Sequence, residues 1–162
     1  MAAGIGVFVL VEPASGAPHV SVPAANAATS RLCSKLHAAL PATVGGGTKR
    51  STSPKSDLTA AWGSPAITMR CGVPKPTALI PGSPNFNPTL DELNTAGVMW
   101  LVEQNDAGDY RFTTVDRSVF IELDIPGAYS FHETPAGDLT DAILGTIPNA
   151  AGRMVPDPQP TQ

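Results

Sequence analysis

The sequence predicts an α+β domain with two layers, an antiparallel sheet of about four to five strands with two helices packed on one face. Residues 67–73 and 98–125 alternate between apolar and polar side chains, the period of two that is typical of strands with one covered face. Turn-forming residues at 105–109 divide the second segment. Helical patterns precede and follow these segments, and a chain of 162 residues is long enough for one hydrophobic core.

Residues 60–76 (AAWGSPAITMRCGVPKP) form the stretch around which the predicted fold is organised. An arginine on the polar face of a central strand needs a carboxylate or a ligand anion beside it, so Arg70 is a candidate binding residue. Asp116, Glu122 and Asp124 are the internal carboxylates that could pair with it. The alternating positions are Ile67, Met69, Cys71 and Val73 on one face and Ala66, Thr68, Arg70 and Gly72 on the other.

The first predicted helix begins near Ala27, where the proline-rich composition gives way to a helical pattern. Leucines recur at four-residue spacing from Leu32 to Leu40 and form one apolar stripe. Thr29 or Ser30 can cap the helix, and the proline that follows Leu40 ends it.

Residues 77–95 are rich in Pro, Ser and Asn, and they predict a long surface loop with one helical turn at residues 91–93. A second helix is predicted to begin at Asp138 or Thr140. It ends near Pro148.

The N-terminal residues 1–11 are apolar over about the length of a signal-peptide core, roughly half of what a membrane-spanning helix needs. We interpret them as the remnant of a signal or anchor segment; the alternative is a short apolar terminus that frays. Residues 12–26 have the composition of a linker. The predicted organisation is therefore a remnant and linker up to residue 26, one α+β domain at 27–152 and a disordered tail at 153–162.

The composition favours an exported protein and argues against nucleic acid as a partner. Charged residues make up 15% of the chain, below the roughly 25% of typical soluble domains, and there are 17 prolines and 15 glycines. The net charge is −4, and the longest basic run is the pair Lys49 and Arg50, which is too short to neutralise several phosphates.

No motif in the chain indicates a cofactor. Residues 43–54 contain three consecutive glycines, but they lack the Gly-x-x-x-x-Gly-Lys-Ser/Thr spacing of a phosphate-binding loop. They predict a loop that enters a short edge strand.

The chain has two cysteines, Cys33 and Cys71, and no Cys-x-x-Cys pair. Because the three histidines are scattered at positions 19, 37 and 132, the residues do not predict a metal site. A disulfide that closes a loop of roughly forty residues is the simplest interpretation, worth about 3 to 4 kcal/mol. Two buried free thiols, as in a cytosolic protein, are the alternative.

Three short motifs stand out along the chain, AWGxP at 61–65, RCGVPxP at 70–76 and FTTVxR at 112–117, together with Cys33, Leu36, Leu40, Pro41, Trp100 and Val102. They resemble those of the actinobacterial domain of unknown function 3515. The similarity extends from about residue 27 to about residue 147, and it implies an extracytoplasmic domain behind an N-terminal membrane or signal segment, with no assigned activity. It also supports export and the pairing of the two cysteines. Some members have a further cysteine that residues 81–97 of this chain lack.

The leading hypothesis is a non-enzymatic domain of the cell envelope, secreted or anchored to the plasma membrane by its N-terminal segment, which binds an envelope protein or a cell-wall component. The candidate binding residues are Trp62, Arg70, Trp100 and Arg117, because tryptophan and arginine dominate interaction hot spots. The tryptophans have an alternative interpretation as core residues.

A second hypothesis is a small envelope hydrolase that acts on peptidoglycan or its precursors. Its acid and base would be Glu122 with Asp124, or Asp116 with Glu103. Carboxylates on an exposed sheet face are usually only solvated, and the Gly-x-Ser-x-Gly motif of serine hydrolases is absent around Ser64. A third hypothesis is a structural accessory protein without a small-molecule site.

Overall fold

The computed structural model describes residues 16–129 and 133–150, which form one antiparallel sheet of eight strands together with three helices. The helices are α1 (Ala27–Ala39), α2 (Glu133–Asp138) and α3 (Thr140–Thr146). The strands are β1 (Thr43–Val44), β2 (Gly47–Arg50), β3 (Thr59–Trp62), β4 (Ile67–Cys71), β5 (Asp91–Thr95), β6 (Val98–Gln104), β7 (Tyr110–Thr114) and β8 (Ile121–Ile125).

The predicted sheet of four to five strands with two helices packed on one face is wrong, because the sheet has eight strands. The additional strands are short or polar. β1 and β2 have two and four residues in a glycine-rich segment, too few to show an alternating pattern.

β5 occupies the position of the predicted helical turn at residues 91–93. As an edge strand it is largely exposed, so its sequence DELNT has no apolar alternation to reveal it. Its hairpin with β6 turns at Ala96 and Gly97, with φ of +49° and +104°. Positive φ is uncommon at alanine, so the sequence carries no standard hairpin signal there.

The strand order is β1-β2-β3-β4-β8-β7-β6-β5, and every neighbouring pair is antiparallel. The N-terminal meander β1–β4 and the C-terminal meander β5–β8 join where β4 pairs with β8. The stretch 60–76 therefore contributes the strand at which the two halves of the sheet meet.

One face of the sheet carries the main hydrophobic core, which we call the inner face. Its strand residues alternate along the chain, as in β4, where Ile67, Met69 and Cys71 are buried. α1 and α3 contact each other and contribute Leu36 and Ile143 to the same core. The apolar stripe that predicted α1 is thus buried, with Cys33 and Leu36 fully covered.

A disulfide joins Cys33 of α1 to Cys71 of β4, as predicted. Gly72 follows the disulfide with φ of +88°, and a Cβ there would lie 3.0 Å from Thr29 Cγ2, so a glycine lets α1 approach the strand end. The helix begins after Asn26, whose side chain accepts a hydrogen bond from the Thr29 amide at 2.9 Å, rather than after Thr29 or Ser30.

The described part of the predicted linker, residues 16–26, lies against the sheet. Val20 is buried, and its amide donates to the Ser53 carbonyl at 3.0 Å, while the Ser53 amide donates to Pro18 at 2.9 Å. The apolar stretch 1–11 and the tail 153–162 lie outside the described residues. Within the described ranges, no helix has both the length and the hydropathy that crossing a bilayer requires.

We expect the variant Cys33→Ser/Cys71→Ser to lose about 3 to 4 kcal/mol of unfolding free energy, because the disulfide constrains the unfolded chain across a separation of 38 residues. Urea denaturation followed by tryptophan fluorescence measures the loss. Reductant should reproduce it in the wild-type protein and leave the double variant unchanged. Equal stability of the oxidised wild-type protein and the double variant would contradict the prediction.

Candidate functional site

The face of the sheet opposite the main core, which we call the outer face, carries two rows of polar side chains across the central strands. In the first row, the register pairs Arg70 of β4 with Glu122 of β8. In the second row, Arg111 of β7 pairs with Asp124 of β8 and with Glu103 of β6. Cross-strand partners lie on the same face, so the antiparallel register brings opposite charges together.

Arg70 and Glu122 form the more buried ion pair of this face. The Nε and Nη2 groups of Arg70 both donate to Glu122 Oε1, with Nε at 2.8 Å. The side chains are 26% and 9% exposed, and Nη1 of Arg70 also donates to Ser21 Oγ at 2.9 Å. Glu122 is therefore the internal partner that Arg70 was predicted to need.

Arg111 lies between two carboxylates and remains half exposed. Its Nε donates to Asp124 Oδ1 at 2.7 Å and lies 3.5 Å from Glu122 Oε2. The hydrogen bond to Asp124 raises the pKa of Arg111 above its ordinary value, and the charges of Asp124, Glu122 and Glu103 act in the same direction, against partial burial. The guanidinium is thus held in place and still presents N–H groups to solvent.

Two cavities, of about 520 Å³ and about 130 Å³, lie on this face, and both are lined by Glu103 and Arg111. We call them together the polar groove. Asp124 lines the larger cavity. Glu122 lines the smaller one, against residues 73–77 of the segment that leaves β4.

The segment that follows β4 covers part of the outer face. Its single 3₁₀ turn, Thr77–Leu79, contributes Ala78 to a second, smaller apolar cluster with Leu101 and Val115. Such satellite clusters commonly lie under long loops. The long loop predicted in this region therefore acts as a wall beside the groove.

Asp109 places a further negative charge at the larger cavity. The Gly127 amide and the Asn105 side chain donate to this carboxylate and hold its pKa below the ordinary value. Asp109 is fully exposed, so it contributes charge to the groove rather than packing.

Arg117 lies away from the groove, in the turn between β7 and β8. Its side chain is 5% exposed, and Nη2 donates to the Gly97 carbonyl and to Asp116 Oδ2, the latter at 3.2 Å. Asp116 is likewise buried, so the structure does not bring it together with Glu103.

The two candidate tryptophans are fully buried on the inner face. Trp62 Nε1 donates to the Pro41 carbonyl at 3.0 Å, and Trp100 Nε1 donates to Thr95 Oγ1 at 2.8 Å. Of the four residues proposed for binding, only Arg70 reaches the outer face beside the groove. Sequence reasoning missed Arg111, whose role depends on the register of β7 against β8.

Glu122 and Asp124 do not share one cavity. Glu122 lines the smaller cavity and Asp124 the larger one, and each accepts hydrogen bonds from an arginine. Among the described residues, no group of three or more His, Cys, Asp or Glu is placed to hold a metal ion.

These features define a disulfide-bonded, single-sheet domain with a polar groove on the face opposite its core. The family model described as protein of unknown function (DUF3515) matches residues 3–151, most of the chain, and the protein belongs to this family. No curated protein and no solved structure matches the chain. Family membership confirms the resemblance found in the sequence and assigns no activity.

We expect Glu122→Gln to destabilise the fold by about 1 to 3 kcal/mol, because it leaves the half-buried Arg70 without its counter-charge. The matched control Asp124→Asn removes a carboxylate that is 38% exposed and should cost less than about 1 kcal/mol. Thermal and urea denaturation of both variants measure the difference. A larger loss for Asp124→Asn would show that the Arg70 pair is not the stronger interaction.

Proposed function

We propose that this protein is an extracytoplasmic, non-enzymatic binding module that holds a partner of the cell envelope in the polar groove. The observation that carries the proposal is the network of ion pairs at the groove. Arg70 and Arg111 form it with the carboxylates of Glu122 and Asp124. The leading candidate is a partner protein with a polar, amine- or guanidinium-bearing segment, and a cell-wall component is the second.

This network supports binding because its ion pairs form within the protein, without a partner. Arg111 is fixed by Asp124 at 2.7 Å but is 48% exposed, so contact with a ligand would cost little additional side-chain entropy. A fixed donor of this kind is typical of interaction hot spots.

The charge of the groove indicates the chemistry of the partner. Carboxylates outnumber arginines among the lining residues, since Glu103, Asp109, Glu122 and Asp124 face the groove with Arg111. Complementary charge in the partner would steer association and orient it. We therefore expect lysine or arginine side chains, or other amines, on the partner.

The disulfide supports an extracytoplasmic location, because disulfides persist in oxidising compartments and are rare in the cytosol. The apolar residues 1–11 are consistent with export, either as part of a secretion signal or as an anchor in the plasma membrane. These contacts give the hydrolase hypothesis no support, since Glu122 and Asp124 are each paired with an arginine and Asp116 is buried beside Arg117, away from Glu103.

We expect both cysteines to be blocked in protein taken directly from its own cells. Intact mass after thiol alkylation should show no label without reductant and two labels with it, because Cys33 and Cys71 are joined. Full labelling of the folded protein without reductant would refute the extracytoplasmic assignment.

We expect a photo-reactive amino acid at Gln104, an exposed residue of the larger cavity, to cross-link a partner in intact cells. The same group at Lys35, exposed on α1, is the matched control and should give no product. Glu103→Lys should abolish the product at Gln104 because it reverses a groove charge. A product equally strong at Lys35, or insensitive to Glu103→Lys, would contradict binding in the groove.

A further inference from the structure

A third cavity, of about 460 Å³, lies beyond the end of β2, and we call it the basic pocket. Three cationic side chains line it, Lys49, Arg50 and Lys55, against the single carboxylate of Asp57. The whole chain has 10 Lys and Arg and a net charge of −4, so this is a local concentration of positive charge in an acidic protein.

The cations of the basic pocket are held mainly by neutral groups. Arg50 donates from Nη1 to the Gly63 carbonyl at 2.7 Å and from Nη2 to the Gly16 carbonyl at 2.8 Å. Lys49 Nζ makes a long hydrogen bond of 3.4 Å to the His37 carbonyl. Carbonyls orient these groups without cancelling their charge, whereas Arg70 and Arg111 on the outer face are each paired with a carboxylate.

His37 of α1 lines the pocket beside Lys49. Its pKa lies below the ordinary value, first because the ring is partly buried and second because the charge of Lys49 disfavours protonation. Asp57, whose Oδ1 lies 4.0 Å from Nδ1, acts in the opposite direction but does not restore the pKa. The imidazole is therefore mainly uncharged at neutral pH.

We infer that the basic pocket binds a phosphate group, supplied either by a soluble phosphate compound or by the headgroup of an anionic lipid. Lys49 and Lys55 at one cavity suit a compact oxyanion with several acceptor oxygens, and the Ser51 hydroxyl at the same wall can donate to it. The cavity volume accommodates a group larger than phosphate itself. This site is independent of the polar groove, so either assignment can fail without the other.

The test uses the full chain and two probes, inorganic phosphate and vesicles of phosphatidylglycerol in phosphatidylcholine. Binding is measured by calorimetry for phosphate and by vesicle co-sedimentation, with pure phosphatidylcholine vesicles as the reference. Lys49→Gln and Lys55→Gln should each weaken binding roughly five- to tenfold. The matched control Lys35→Gln removes the same charge from an exposed position on α1, outside the pocket, and should leave binding unchanged.

The His37 resonances provide a second readout. Saturating phosphate should shift them and raise the pKa of His37, because an anion beside the ring stabilises its charged form. Phosphate binding without vesicle binding assigns a soluble ligand, and the reverse assigns a lipid headgroup. Binding of neither probe, equal weakening by Lys35→Gln, or His37 resonances that do not respond would overturn the inference.

Discussion

The pairing of β4 with β8 is the constraint on which the rest of the structure depends, because it joins two meanders that each run through one half of the chain. Two adjacent residues of β4 bond to other parts of the structure, one on each face of the sheet. Cys71 points to the inner face and forms the disulfide with α1, while Arg70 points to the outer face and pairs with Glu122. Successive residues of a strand face opposite sides, so one dipeptide stabilises the helical layer and organises the polar groove.

The two candidate sites differ in how their charges are compensated. In the polar groove, the arginines are paired with carboxylates that hold them in a fixed arrangement. The remaining carboxylates leave an excess of negative charge. In the basic pocket, Lys49 donates a long hydrogen bond to a backbone carbonyl, so its positive charge remains available to an anion. A domain with two oppositely charged sites on separate parts of one sheet can contact two different molecules at the same time.

Residues 16–21 contact both candidate sites through hydrogen bonds. Gly16 accepts a hydrogen bond from Arg50 at the basic pocket, and Ser21 accepts one from Arg70 at the outer face. Val20 is buried between these two contacts. The composition of this segment predicts a linker, because it contains few apolar residues. Its packing depends on a β-bridge between His19 and the distant Ser53, which the composition does not reveal.

Local patterns in the sequence were sufficient for several features. The leucine stripe of α1 and the alternation along β4 indicated which side chains are buried, since helical and strand periods are properties of neighbouring residues. Alternation did not indicate the burial of Leu101 in β6 or Glu122 in β8, because other segments cover the outer face at these positions. The two cysteines allowed only one pairing, and the structure contains it. The same patterns missed β5, whose polar edge position removes the alternation that marks a strand.

The sequence by itself determined which residues of α1 and β4 face the core and that Arg70 needs a carboxylate or a ligand anion. Only the tertiary structure selected Glu122 for it, placed Arg111 between Glu122 and Asp124, and buried Arg117 with the two tryptophans. Periodicity is encoded within a few consecutive residues, whereas strand register and partner choice are set by packing between segments that are distant along the chain. The same reason explains why the basic pocket, formed by α1, β2 and the loop after it, could not be recognised before the fold was known.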